Sequence, residues 1–167
     1  MCLSAQKSTS CMALKAWGVY HRGMKRIRAY HGAGILFWTR DDDGAPTILL
    51  GKRSMKPQNH HWAFPGGGWE GEDGFDSDGN IAYRTTAIRE STEEMGIVVP
   101  DPDGLKLVWS LALPFFHYKV FSYELDHRVT PPVLSEFSEY RWCTLESLPK
   151  PMVLFVHSQI RSWKLRS

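Results

Sequence analysis

The chain has 167 residues, 43% of them hydrophobic and 23% charged, which predicts one ordinary globular domain with a sizeable core. Its net charge of +2 is too small to indicate a basic surface that binds duplex DNA. Three cysteines without a C-x-x-C pair argue against a disulfide framework or structural zinc, and favour a reducing, cytoplasmic setting. No apolar run approaches the roughly 20 residues of a membrane span.

The first 23 residues are polar and irregular, without the apolar core of a signal peptide. We therefore expect residues 1–23 to form a poorly ordered or peripheral extension, followed by a single domain over residues 24–167. Two strand-like runs open that domain, at 31–40 and 47–54. The acidic link between them contains Gly and Pro, which predicts an antiparallel hairpin.

Residues 55–70 are expected to form a loop with a short extended centre at 61–64. Pro65 and the three glycines after it (Gly66, Gly67 and Gly68) interrupt regular structure. Such a Pro-Gly segment can bring backbone amides and carbonyls close to a metal ion or a phosphate.

Residues 81–95 are the strongest helix candidate, with Asp78 or Asn80 as the N-terminal cap and Gly96 in the left-handed position after the last turn. The 100° periodicity places the apolar residues on one face. Three glutamates fall together on the opposite face: Glu90, Glu93 and Glu94.

Three further strands are predicted at 105–116, 117–125 and 140–145, and a closing helix at 152–165. Strands that alternate with helices indicate an α/β domain with a mixed sheet.

The three helical glutamates allow two interpretations. They could form an exposed acidic stripe, since like charges at i, i+3 and i+4 are tolerated where water solvates them. Alternatively, they could be neutralised by Mg²⁺, with Mn²⁺ as a substitute, because these ions prefer oxygen ligands. Arg89 lies four residues before Glu93 and can form an ion pair with it. The Gly-rich segment upstream, followed by Arg89-Glu90-x-x-Glu93-Glu94-x-Gly96, favours the metal site.

These residues resemble the box of the Nudix hydrolase family, G-x5-E-x7-R-E-U-x-E-E-x-G-U, in which U is aliphatic. Gly67 begins the match, and Glu72 or Asp73 stands at the leading acidic position. The stretch before Arg89 is about eight residues longer than in the family pattern, and Ser91 replaces the first aliphatic residue. Segments 62–70 and 136–149 also resemble the family.

The resemblance implies an α/β/α sandwich around a mixed sheet and a Mg²⁺-dependent pyrophosphohydrolase. Such an enzyme cleaves a nucleoside diphosphate linked to another moiety. Glu90 and Glu94 would be the metal ligands, with the Gly66 carbonyl as a further candidate and Glu72 or Asp73 supplying the leading carboxylate. Glu93, oriented by Arg89, would share the metal or support its ligands.

Glu136 is the first candidate for the general base and Glu139 the second, because 136–142 is similar to a segment of relatives that act on RNA 5′ ends and dinucleoside polyphosphates. Lys52 and Arg53 end a strand near the expected phosphate site, and Arg53 suits bidentate contacts. Five aromatic residues are candidates for stacking on a base: Trp62, Trp69, Phe115, Phe116 and Tyr118.

A second hypothesis follows from the two departures from the box. The insertion and Ser91 would also fit a Nudix-like domain that binds a nucleotide or a protein without turnover. The expected partner in either case is a nucleotide-type molecule of unspecified identity. Many family members are dimers, so the resemblance allows a homodimer but leaves the oligomeric state open.

Overall fold

The computed structural model describes residues 29–166, so the predicted extension over residues 1–23 lies outside the described residues. Seven strands and two helices follow in chain order: β1 (Tyr30–Arg40), β2 (Pro46–Arg53), β3 (Trp62–Ala63), β4 (Gly66–Gly68), α1 (Tyr83–Met95), β5 (Lys106–Leu113), β6 (Phe116–Glu124), β7 (Phe137–Thr144) and α2 (Val156–Lys164). Neither helix has both the length and the apolar character needed to cross a membrane.

Strand β1 organises the sheet because other strands pair with both of its edges. It runs parallel to β6, whereas its opposite edge pairs antiparallel with β2 near Trp38 and with β4 near Gly34. β2 continues the sheet to β3 and β7, and β5 pairs antiparallel with β6. The predicted hairpin and the mixed sheet are therefore confirmed.

The alternation of side chains along β1 creates one core on each face of the sheet. Ile35 and Phe37 pack into the core on the α1 side, whereas Leu36 and Trp38 pack into the core on the α2 side. A strand that is buried on both faces reads as a continuous apolar run, as β1 does. The result is the predicted α/β/α sandwich.

Helix α1 ends as predicted but begins differently. Gly96 adopts the left-handed conformation with φ 67°, and its N–H donates to Thr92 O. The prediction that Asp78 or Asn80 caps the start is wrong, since Ala82 precedes the helix and no side chain caps it. The N–H groups of Asp78 and Asn80 instead donate to the Asp76 carboxylate, which closes the loop before the helix.

Two other elements differ from the prediction. The three glycines form strand β4 instead of breaking regular structure, because they lie directly against β1. A Cβ on Gly34 of β1 would lie 2.7 Å from Pro65 O, so this approach requires glycine. Helix α2 begins at Val156, not at residue 152, because Phe155 before it has a left-handed φ of 71°.

Candidate active site

Two glutamates of α1 are held against the glycine strand β4. Glu94 is only 3% exposed, and its Oε2 accepts a 2.7 Å hydrogen bond from Gly66 N–H. Glu90 lies so close to Gly67 that a Cβ there would be 2.5 Å from Glu90 Oε1. Gly67 therefore leaves room for the Glu90 carboxylate against the backbone of β4, and the N–H of Gly66 binds Glu94.

The prediction that all three glutamates lie on the helix face opposite the apolar residues is wrong for Glu94, which is buried beside Met95. Glu93 is exposed, and its Oε2 pairs with Arg89 Nη1 at 2.9 Å, as the i, i+4 spacing predicts. The exposed-stripe interpretation therefore fails, because only Glu93 of the three glutamates is exposed to solvent.

The pKa of Glu94 is raised to about 8, chiefly by burial and also by the negative charges of Glu136 and Glu90, while the hydrogen bond from Gly66 N–H opposes the shift. The pKa of Glu90 is also raised, first by burial, although the adjacent Arg89 opposes the shift. Both groups therefore resist ionisation in the absence of a cation. Such raised pKa values are expected for carboxylates at a site that binds a cation.

Arg89 connects α1 to the segment before it. Its Nε donates to Asp73 Oδ1 at 2.8 Å, and its Nη2 donates to Gly68 O at 2.8 Å and lies 3.0 Å from Glu90 Oε1. Arg89 also pairs with Glu93, so it contacts the carboxylates of Asp73, Glu90 and Glu93 and the carbonyl oxygen of Gly68. The pKa of Arg89 is raised, mainly by its hydrogen bond to Asp73, so Arg89 stays charged.

Asp73 stands at the leading acidic position of the box. Its carboxylate is buried and also accepts hydrogen bonds from Thr86 Oγ1 and the N–H of Glu70. Burial acts to raise the pKa of Asp73, but these bonds and those from Arg89 outweigh it, so the pKa lies below its usual value. The alternative candidate, Glu72, is exposed. Both oxygens of Asp73 accept hydrogen bonds, and Asp73 thereby holds Arg89 in place. The leading carboxylate of the metal site, predicted at Glu72 or Asp73, stays a prediction.

The loop after residue 130 brings Glu136 to the site. Ser135 satisfies the end of α1, with its N–H donating to Glu94 O and its hydroxyl to Glu93 O. Glu136 follows directly, and its Oε2 lies 3.6 Å from Arg53 Nη2. Both side chains act electrostatically on Glu94. Arg53 and Glu136 therefore lie within electrostatic range of Glu94, while their roles as phosphate contact and general base stay predictions.

The other two predicted contacts, Lys52 and Glu139, point elsewhere. Lys52 Nζ donates to Glu139 Oε2 at 3.3 Å and lies 5.9 Å from the centroid of the Trp62 ring. The pKa of Glu139 is lowered, mainly by this hydrogen bond from Lys52. Neighbouring residues of a strand face opposite sides of the sheet, which explains why Lys52 leaves the site that Arg53 enters.

A cavity of about 520 Å³ is connected to the carboxylates through two residues that contact them. Its wall contains Arg53 and Gly66 together with three residues that the sequence analysis did not select: Trp109, Phe155 and Gln159. Trp109 and Phe155 face each other with ring centroids 5.7 Å apart. The cavity is thus apolar and aromatic over much of its wall, and polar where it meets the reaction centre.

The aromatic residues predicted to stack on a base divide between different places. Phe116 and Tyr118 line the cavity, with their rings stacked at 6.1 Å. Trp62 is buried in the core, which excludes stacking on a ligand. Trp69 packs against Phe75 at 5.5 Å, in the wall of a separate cavity of about 420 Å³.

The donor set suits a hard divalent cation that is completed by substrate. Within residues 29–166, no three His, Cys, Asp or Glu side chains converge into a ready-made metal cage. Mg²⁺ typically uses one or two protein carboxylates and takes its remaining ligands from water and phosphates. Glu90 and Glu94 are the pair that would bind such an ion, because burial disfavours their ionised forms and a cation would stabilise them.

Comparison with known proteins gives a consistent result. A family model described as NUDIX domain matches residues 30–163. Two curated relatives from strains of Mycobacterium tuberculosis, each named "Putative 8-oxo-dGTP diphosphatase 3", are 35% identical over 81 residues, which is 48% of this chain and 34% of theirs. The chain therefore spans about a third of the length of these relatives.

Two solved structures share the fold. The NUDIX domain of Shewanella oneidensis NrtR, complexed with ADP ribose, has a TM-score of 0.61 and 16% identity, with 83% of this chain and 88% of that chain covered. A binary complex of C. elegans Ap4A hydrolase has a TM-score of 0.59 and 21% identity, with 83% and 97% covered. Because the family model matches most of the residues and the fold agrees, the chain belongs to the NUDIX family.

Proposed function

We propose that this chain is a Mg²⁺- or Mn²⁺-dependent pyrophosphohydrolase that cleaves a nucleoside diphosphate linked to another moiety. The observation that carries the proposal is the pair Glu90 and Glu94, held against β4 with raised pKa values beside Arg53 and Glu136. The names of the M. tuberculosis relatives and of the C. elegans enzyme, a diphosphatase and a hydrolase, support this reaction class.

In the proposed reaction, Glu90 and Glu94 hold the cation, and the carbonyl of Gly66 is a further candidate ligand. The bound ion would neutralise the diphosphate and lower the pKa of the attacking water. Arg89 and Asp73 act as positioning residues, because they fix α1 to the segment that carries β4. Any change in their ion pair would displace the carboxylates and so reduce the rate.

Arg53 and Glu136 supply the remaining roles. Without substrate, Arg53 pairs loosely with Glu136 at 3.6 Å. A phosphate offers Arg53 a bidentate partner, which frees the Glu136 carboxylate to accept a proton from water. The water oxygen bonds to phosphorus, the bond from phosphorus to the bridging oxygen breaks, and that oxygen leaves with the second phosphate.

Two observations support catalysis over the alternative of an inactive binding domain. Ser91 is fully buried, and its hydroxyl has Ile88 O within 2.9 Å as an acceptor, so it occupies the aliphatic position without an unsatisfied polar group. The insertion lies between Asp73 and α1, and it leaves the Asp73–Arg89 ion pair intact. Both departures from the box are therefore compatible with catalysis.

The test is a hydrolysis screen with Mg²⁺ or Mn²⁺ over 8-oxo-dGTP, ADP-ribose, Ap4A, nucleotide sugars and capped RNA, with the products identified. Glu94→Gln keeps the acceptor for Gly66 N–H but removes the charge, and it should lower kcat by roughly 10²-fold or more. Glu146→Gln, at an exposed glutamate, is the matched control and should leave the rate unchanged. Equal activity of the two variants would refute the proposed role of Glu94.

Other sequence-based predictions concern setting and assembly. A reducing, cytoplasmic setting, a homodimer and the lack of duplex DNA as a partner all stay predictions.

A further inference from the structure

Gln159 is the buried polar side chain in the wall of the large cavity. It lies on the inner face of α2 and is only 7% exposed. No residue in the described range 29–166 hydrogen-bonds its side-chain amide, whereas its backbone N–H donates to Phe155 O at 2.9 Å. Neither amide atom is sealed from solvent, so the cavity is where that amide finds a partner. A buried amide without a protein partner is satisfied by water or by a ligand, and this amide can reach either one through the cavity.

The surroundings of Gln159 narrow the kind of ligand. Trp109 and Phe155 offer aromatic surface on one part of the wall, and the stacked rings of Phe116 and Tyr118 offer more. Phe155 is held in a left-handed conformation that bulky residues rarely adopt, which places its ring at the cavity. Planar apolar surface with one donor–acceptor pair suits a flat heterocycle far better than a sugar, which needs many polar contacts.

The same cavity reaches the reaction centre. Gly66, whose N–H holds Glu94, and Arg53, which pairs with Glu136, both belong to its wall. A nucleoside whose base enters the cavity therefore has its phosphates beside the groups that act on them. This continuity distinguishes the cavity from an unrelated apolar groove.

We propose that Gln159 determines substrate specificity by binding the edge of a purine base in this cavity. A carboxamide presents an N–H donor beside a C=O acceptor, so it complements a base edge with an adjacent acceptor and donor. Adenine N7 and N6, or guanine O6 and N1, provide such an edge. The inference rests on the proposed function for the placement of the phosphates, but it makes a separate claim about binding.

The experiment measures binding of ligands that cannot be hydrolysed. α,β-methylene-ADP and α,β-methylene-GDP are titrated by calorimetry in Mg²⁺, with methylenediphosphonate as the matched probe that lacks a nucleoside. Gln159→Met removes the hydrogen bonds but keeps the length of the side chain and its helix propensity. Gln159→Glu keeps the acceptors and removes the donor. Gln58→Met is the control, at an exposed amide in the wall of the same cavity.

We expect Gln159→Met to weaken binding of at least one nucleotide by about 5- to 150-fold, the range for one bidentate contact to a base. Gln159→Glu should also weaken it, whereas methylenediphosphonate should bind both variants as it binds the unaltered protein. Gln58→Met should change no affinity by more than about twofold.

Three results would overturn the proposal. Gln159→Met could leave nucleotide binding unchanged, it could weaken nucleotide and methylenediphosphonate equally, or the unaltered protein could bind all three ligands alike. The proposed function fails separately, if no anhydride in the hydrolysis screen is cleaved. If binding depends on Gln159 but no anhydride is cleaved, the proposed function is refuted and the inference about Gln159 stands. If an anhydride is cleaved but binding does not depend on the base, the proposed function stands and the inference is refuted.

Discussion

Helices α1 and α2 cover opposite faces of one sheet, but different forces hold them. The buried side chains of α2 are mainly apolar: Val156, Ile160 and Trp163, with Gln159 among them. Those of α1 are largely polar: Thr86, Ser91 and Glu94, with Ala87 and Met95. α2 is therefore held by apolar packing, whereas α1 depends on directed hydrogen bonds and ion pairs.

The difference explains how the domain accommodates a charged site. A buried carboxylate lowers the stability of α1 unless specific partners compensate for it. Arg89, Asp73 and the glycine strand β4 are those partners. α2 has no buried carboxylate to compensate for, so its packing can stabilise the domain and shape the cavity. Under the proposed function, α1 would carry the catalytic groups and α2 would help to shape the cavity for the base.

The largest expected effect comes from removing the centre of the α1 network. Arg89→Met leaves the buried Asp73 carboxylate without its cation, so the free energy of unfolding should fall by roughly 3–5 kcal/mol. Activity per folded molecule should fall as well, because Glu90 and Glu93 lose their common partner. Chemical denaturation and kcat would measure both effects.

Arg161→Met supplies the control for that experiment, since Arg161 lies exposed on α2. Its replacement should change stability by less than about 0.5 kcal/mol. Similar losses in the two variants would show that α1 and α2 do not differ in the way described.

The second effect concerns pH in the metal-free protein. Glu94 has a pKa of about 8 in the folded state and an ordinary value of 4.5, so the folded state favours its protonated form. The resulting stability is fully present below pH 4.5 and is lost as the pH rises through 8. Glu94→Gln cannot ionise, and in EDTA it should be more stable than the unaltered protein by roughly 5 kcal/mol at pH 9.

Denaturation at a series of pH values would show this as a stability difference that grows between pH 4.5 and 8 and then levels off. A difference that stayed constant over this range would contradict the buried, proton-binding state of Glu94. The same variant should lose roughly 10²-fold or more in kcat. This one substitution is therefore expected to raise stability and to lower activity, which separates the two effects of the Glu94 charge.

Much of α1 could be predicted from the sequence because its chemistry is local. The Arg89–Glu93 pair follows from i, i+4 spacing, and the helix end follows from Gly96. The burial of Glu94 could not be predicted, because helical periodicity assigned it to the polar face. Its partner, Gly66, lies 28 residues earlier and meets it only after β4 joins the sheet.

Gln159 was not selected from the sequence, although in its case a local signal was present. The sequence predicts only a closing helix at 152–165, and in the structure Val156, Ile160 and Trp163 form its apolar stripe. Gln159 falls within that stripe, so a polar residue among buried positions was a signal that could have been read. The cavity beside it was not predictable, because Trp109 and Phe155 come from separate elements that only the sheet brings together.

A smaller effect tests whether α2 serves stability and not the reaction chemistry. Ile160→Val removes one buried methylene from the core beneath α2, which should cost about 1 kcal/mol of unfolding free energy. Because Ile160 does not line the cavity, kcat should stay within about twofold. Leu165→Val, at the exposed end of the same helix, should change neither quantity. A loss of kcat without a loss of stability would tie α2 to catalysis.

The smallest effect is expected in the insertion, residues 74–80, which belongs to neither helix. Phe75 and Ile81 pair across its base, and the N–H groups of Asp78 and Asn80 donate to Asp76 Oδ1. Asp76→Ala should cost at most about 1 kcal/mol, since these bonds are exposed and join no other element. The anchor at Asp73 precedes the insertion, so kcat should be unaffected.

Replacing residues 76–80 with Asn-Gly carries that test further, because a two-residue turn can connect the paired Phe75 and Ile81. Stability and kcat should stay close to those of the unaltered protein if the insertion only lengthens the connection to α1. A tenfold loss of kcat/KM with unchanged stability would show instead that the insertion contributes to substrate binding. The pair of Trp69 and Phe75, 5.5 Å apart beside Tyr30, would then be the surface to examine, since Tyr30 lines both cavities.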